Sequence, residues 1–156
     1  MESGARDWSE FEKMRRKSFP EYGKALFEIH PPGKSVTTIH ADGMISGPVP
    51  ETDLLIITAY NPGHRRPSQQ ENEKANQRLA QVIEKAGLTS YPALGRNEDG
   101  SHREPSFAVA LETGPLKYQL AFVSSLAGRA GQAAIFYWDC NARKGRTVWL
   151  APAEDL

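Results

Sequence analysis

The chain has almost no cysteine, no surplus of either charge and no long apolar run. Cys140 is the only cysteine among 156 residues, so no internal disulfide and no cysteine-based zinc cluster can form. A secreted domain of this size more often carries paired cysteines, which favours a reducing, cytoplasmic location. Nineteen Lys and Arg balance nineteen Asp and Glu, and the pI is near 6.9. That balance disfavours nonspecific nucleic-acid binding and gives no drive towards a membrane surface. No run approaches the roughly 20 apolar residues of a membrane span. Residues 1–16 are polar and charged, without the apolar segment of a secretory leader. Neither a Walker pattern nor the glycine fingerprint of a dinucleotide fold is present. His30, His40, His64 and His102 lie far apart without metal-ligand spacing, so they read as loop residues and no metal or cofactor is expected.

What is present fits one domain, long enough to bury about two-thirds of its unfolded surface. Residues 8–27 read as a helix with Trp8, Phe11 and Met14 on one face, and Pro20 either breaks it or opens a short second helix over 21–29. His30-Pro31-Pro32-Gly33 is a stop, residues 36–41 are a β-branched strand, and Asp42-Gly43 turns into Met44-Ile45. Residues 1–52 are thus expected to pack, as a helix and short strands, on a core spanning 53–156. That core opens with a continuous apolar strand over 54–60. Ser68 and Glu71 form a capping box for a helix that runs to about Ala86, with Gly87 to end it. Residues 90–95 are a short strand whose Pro92 suits a sheet edge, and 106–111 form a second apolar strand. Gly114-Pro115 precedes a helix over 116–129 with an inner stripe of Leu116, Leu120, Val123 and Ala127. Two last strands, 133–138 and 147–151, flank a turn-like 141–145. Strand, helix, strand, strand, helix, strand predicts an α+β fold: a ferredoxin-like split βαββαβ sheet with an extra C-terminal strand and an N-terminal helical segment.

The stretch 58–76 carries the functional signal. Extended backwards, the helix stripe Leu79, Ile83, Ala86 lands on Asn76 and Asn72. Two amides on an inward helix face, beside the end of a buried strand, need partners that a core does not supply. In the predicted topology Tyr60, Asn61, Asn72, Asn76, Arg96, Glu104, Ser106 and Gln132 converge on one end of the sheet. Arginine recognises carboxylate or phosphate with two prongs, so the group could hold a small polar or anionic ligand, nucleotide-like in its charge. A second account has Asn72 and Asn76 satisfying loop backbone around Asn61-Pro62, with Arg96 and Glu104 as a mutual ion pair. His64-Arg65-Arg66 is a basic loop tip beside this place.

Two further functions compete. In a metal-independent hydrolase or transferase, Glu104 would be the general base and Arg96 the stabiliser of developing charge. In a protein or nucleic-acid interaction module, or a homodimer, the sheet aromatics Phe136, Tyr137, Trp138 and Trp149 would be left uncovered. Cys140 lacks a basic neighbour in sequence that would activate it.

The ordered motifs Thr58-Ala59-Tyr60-Asn61-Pro62, Ser68 with Glu71-Asn72 and Asn76, Pro92-Ala93-Leu94-Gly95, Glu104-Pro105-Ser106-Phe107, and Gly131-Gln132 with Phe136 resemble the bacterial family called domain of unknown function 3293. The resemblance covers about residues 53–140. It implies a small bacterial cytoplasmic protein and supplies neither an activity nor catalytic residues.

Overall fold

The computed structural model describes residues 10, 13, 14, 17, 25–40, 42–63, 65–112 and 114–150. Their order is β1 (Leu26–Ile29), β2 (Thr37–His40), β3 (Ile45–Ser46), β4 (Leu54–Ile57), α1 (Gln69–Lys85), β5 (Ser90–Arg96), β6 (Arg103–Ala110), α2 (Leu116–Arg129), β7 (Ala134–Asp139) and β8 (Lys144–Trp149). The fold is α+β. All eight strands form one antiparallel sheet in the order β3-β2-β1-β5-β6-β4-β7-β8.

Alternation along the central strands divides the core into two layers. Leu55 and Ile57 of β4, Val109 of β6 and Ile135 and Tyr137 of β7 pack against Leu79 and Ile83 of α1 and Val123, Leu126 and Ala127 of α2. On the opposite face, Leu54, Ile56, Ala108, Ala110, Phe136 and Trp138 meet Ile29, Ile39 and Ala93. Phe27 of β1 stacks on Phe136 of β7 with ring centroids 4.4 Å apart, although three strands separate β1 from β7 in the sheet. The sheet therefore curls until its N-terminal strands cover the face that no described helix covers. This is why β4 is buried at all four positions and reads as an unbroken apolar run.

Several expectations change. Of the helix expected over 8–27, Glu10, Lys13, Met14 and Lys17 are described and helical, and Trp8 and Phe11 lie outside the described residues. The helix expected over 21–29 gives way to strand β1 over its described part. Phe27 and Ile29 point one way and Glu28 the other, and pairing with both β2 and β5 decides the conformation. β5 is therefore not an edge strand. Pro92 is tolerated because its carbonyl faces β1 and accepts the N–H of His30, one residue beyond the last β1 position. Its missing donor faces the same side, past the end of β1. In α1 the capping box forms, and Gly87, at φ 72, accepts a left-handed conformation that closes the helix. Gly87 N–H donates to Glu84 O and Leu88 N–H to Ile83 O. Ala86 is exposed. In α2 the inward face is Gln119, Val123, Leu126 and Ala127. Leu116 stays exposed at the first position of α2, and Leu120 is only partly buried.

Asp53 fastens the start of β4 to the end of β7. Its Oδ2 accepts the Tyr137 hydroxyl at 3.0 Å and its Oδ1 the Cys140 N–H at 2.8 Å. Burial opposes ionisation of Asp53, but the donors from Cys140 and Tyr137 outweigh it and hold the carboxyl below its usual range. Burial, aided by the Asp53 carboxylate, pushes the Tyr137 phenol up to about 12. A carboxyl depressed in the folded state stabilises above its unfolded pKa, and this contribution disappears as pH falls through the folded value. Urea unfolding should therefore show stability declining as pH drops below about 4. Asp53→Ala should cost about 2–3 kcal/mol at neutral pH, by leaving Tyr137 and Cys140 donors unsatisfied. Its stability should also depend less on acid than that of the parent, and an equal acid slope in the two proteins would contradict this role.

Candidate functional site

The site is built around the backbone leaving β4. Thr58 to Asn61 runs along α1 and is read by two asparagines one helical turn apart. Asn76 Oδ1 accepts the Ala59 N–H at 2.8 Å and the Thr58 hydroxyl at 3.4 Å, while its Nδ2 donates to Pro105 O at 2.8 Å. Asn72 Oδ1 accepts the Asn61 N–H at 3.0 Å, and Asn72 Nδ2 donates to Asn61 Oδ1 at 2.9 Å. Asn61 Nδ2 continues the chain to Glu104 Oε2 at 3.0 Å. Thr58 Oγ1 adds a bond to Pro105 O at 2.7 Å. Both helix asparagines are buried, and a buried amide is stable only when so engaged.

Asn61 itself sits at φ 44, in the left-handed region that asparagine tolerates better than most residues. Behind it, Gln132 Nε2 donates to Tyr60 O at 2.9 Å. Gly131, at φ 83, lets the loop close on the end of α2. A Cβ there would stand 2.7 Å from Pro62 Cβ and 3.4 Å from Arg65 Nη2. Burial, with the Glu73 and Glu104 carboxylates nearby, raises the pKa of the Tyr60 phenol.

Arg96 and Glu104 are brought to this same end, but not to each other. Arg96 Nε donates to Glu28 Oε2 at 2.5 Å, and its Nη1 to Asn97 O at 3.0 Å and Glu98 O at 3.2 Å. That arginine, opposed by burial and helped by His30, holds the Glu28 carboxyl below its usual range. Glu104 Oε2 instead takes Asn61 Nδ2 and stands 3.1 Å from His102 Nε2. Arg96, Glu104 and Asn61 all face a cavity of about 140 Å³, whose wall also carries Phe27, Arg66, Asn97 and His102. Ser106 and Gln132 line a smaller void of about 40 Å³, walled by Phe27 and Glu104 as well. Ser106 Oγ donates to Glu104 O at 2.9 Å. Tyr60 and Asn72 flank an open cleft with Asn61 and His102.

The second account of the asparagines therefore describes their bonding. Asn72 and Asn76 hold loop backbone, and Asn61 links that lattice to the cavity wall. The mutual Arg96–Glu104 ion pair does not form, because Glu28 on β1 reaches Arg96 first. His102, expected as a plain loop residue, flanks Glu104. Residues two apart on a strand share a face, and His102 directly precedes β6. That spacing was the signal. Phe27 had no such signal, because its strand was read as helix. His64 lies outside the described residues, and among the described residues no group of His, Cys, Asp and Glu could hold a metal ion.

Asn76→Ala is expected to destabilise by about 1–3 kcal/mol in urea unfolding, since it orphans the Ala59 N–H and leaves the Pro105 carbonyl only its bond from the Thr58 hydroxyl. Asn76→Asp should recover only part of this, because it keeps an acceptor for Ala59 but sets a carboxylate against Pro105 O. A loss below about 0.5 kcal/mol, usual for plain surface positions, would contradict the lattice.

No curated protein and no solved structure matches the chain. Residues 57–135 match the model of a family described as Protein of unknown function (DUF3293). The matched stretch contains Tyr60, Asn61, Asn72, Asn76, Arg96, Glu104, Ser106 and Gln132, and covers half of the chain. On that match the chain belongs to the DUF3293 family.

Proposed function

We propose that this protein is a binding module for a small polar or anionic ligand, seated in the cavity bounded by Asn61, Arg66, Arg96, His102 and Glu104. The observation that carries the reading is the make-up of that wall: the Arg66 and Arg96 guanidinium groups, Arg96 also paired with Glu28, stand with the His102 imidazole and the Glu104 carboxylate around about 140 Å³. Arg96 is oriented by Glu28 and two carbonyls, and its Nη2 is without a partner among the described residues. Glu104 is fixed by Asn61 and His102. Side chains held in this way lose little freedom when a ligand arrives. The chemistry suits a compact molecule with an anionic group towards Arg66 and Arg96, and a hydroxyl or amino donor towards Glu104. An apolar cavity of similar size accommodates a benzene-sized molecule, so the ligand, or the part of it that enters, is small.

We read residues 53–149 as a ferredoxin-like split βαββαβ unit, extended by β8 at one side and by β1 to β3 at the other. The central order β5-β6-β4-β7, with the first and third strands of the unit inside, supports that reading. We further propose a bacterial cytoplasmic protein. No described helix is long and apolar enough to cross a membrane, which is compatible with that location. Of the four aromatics on which the interaction-module reading rests, Phe136, Tyr137 and Trp138 are buried and Trp149 is half-buried, which favours the ligand-binding reading over it.

A thermal-shift panel of small carboxylates, phosphates and nucleotides tests the ligand. A panel member at about a hundredfold over its Kd should raise Tm by about 5–10 °C. Arg66→Ala, an exposed loop change, should abolish the rise while leaving the unliganded Tm unchanged. A panel without any shift, or a shift that persists in Arg66→Ala, would overturn the assignment.

A further inference from the structure

A second cavity lies on the other side of the Pro62–Pro67 loop, between the two helices. It measures about 420 Å³, within the range of small-molecule sites. Ala75, Leu79 and Val82 of α1 and Leu126 and Ala130 of α2 give it an apolar floor. Val82 remains 43% exposed, and Phe122, one turn before Leu126 on the same helical face, remains 45% exposed. Arg65, Arg78 and Arg129 also line it. No side chain of the three makes a hydrogen bond or ion pair with a described residue; the bonds of Arg65, to Pro62 O and from Arg66 Nη1, run through its backbone. The one carboxylate on the wall, Glu71, has its Oε1 occupied by the Ser68 N–H.

Three arginines around one groove repel one another unless an anion sits among them, and surface arginines ordinarily find carboxylates when these are near. An apolar floor facing solvent is equally unfavourable unless it is covered. Both conditions are met by one kind of molecule. We propose that the groove between α1 and α2 binds a small amphipathic carboxylate, with its acid group among Arg65, Arg78 and Arg129 and its hydrocarbon body along Leu79, Val82 and Leu126. Charge complementarity fixes the head and the apolar floor fixes the tail. This site is separate from the cavity at Glu104. The neighbouring arginines of the loop are divided between them, Arg65 to the groove and Arg66 to the cavity.

Octanoate, followed by amide chemical-shift titration of the whole protein, is the probe. Saturable shifts are expected at Ala75, Val82, Leu126 and Ala130. The double variant Arg78→Ala/Arg129→Ala, whose side chains hold no internal bond, should fold normally and bind octanoate about tenfold or more weakly. Octanol, which lacks the charge, and acetate, which lacks the chain, should each bind about tenfold or more weakly as well. The proposal is overturned if octanoate shifts none of these amides, or if it shifts only those around His102. It is equally overturned if octanol matches octanoate, if the arginine variant binds unchanged, or if an acidic amphipathic peptide fills the groove while octanoate does not.

Discussion

The structure depends on how the chain leaves its most buried strand. β4 ends at Ile57, and within a few residues the backbone must turn through a left-handed asparagine and reach the start of α1. A turn of this kind inside a protein exposes N–H and carbonyl groups where water is scarce. The helix that follows supplies the partners itself. Asn76 Oδ1 accepts the Ala59 N–H, Asn72 Oδ1 accepts the Asn61 backbone N–H, and Asn72 Nδ2 donates to Asn61 Oδ1. Sequence spacing alone permits this, because positions 72 and 76 lie on one face of a helix whose capping box fixes where it begins.

Once that turn is fixed, the rest of the rim follows. Asn61 points its amide at Glu104, which orients the carboxylate towards His102. Pro62 and Arg65 then stand against Gly131 at the end of α2. The loop becomes a partition, with a guanidinium-rich cavity at the rim of the curled sheet on one side and an arginine-lined apolar groove between the helices on the other. The two spaces differ in chemistry because they belong to different layers. Glu104 stands on the same face of β6 as Ser106 and Ala108, the face that the curl of the sheet encloses. The groove instead belongs to the helix layer. Binding at either place would act on a scaffold whose charged groups are already positioned.

Much of this was legible in the residues. The apolar strand expected over 54–60, which ends at Ile57, both helices of the core and the capping box announce themselves through apolar patterning and capping. The convergence of Asn61, Arg96 and Glu104 on one rim follows from the order of elements alone. What stayed hidden was set by distant pairing. Leu26–Ile29 has a helix-compatible pattern and becomes a strand only because β5 and β2 accept it. With β1 in place Pro92 is no longer on an edge, Glu28 is delivered to Arg96, and Phe27 stacks on Phe136. A single misread segment therefore accounts for the missed ion pair, the missed aromatic wall and the missed closure of the sheet. The inner face of α2 slipped for a different reason. Periodicity identifies a stripe, but packing decides which of its members are covered.

A double-mutant cycle on Asn61→Gly and Asn72→Ala tests the central constraint most directly, since glycine keeps the left-handed backbone while removing the side chain. If the bond from Asn72 Nδ2 to Asn61 Oδ1 holds the turn, the two changes should couple by about 1–3 kcal/mol in urea unfolding. If their effects add to within about 0.5 kcal/mol, the asparagines act independently and the rim is organised by something else.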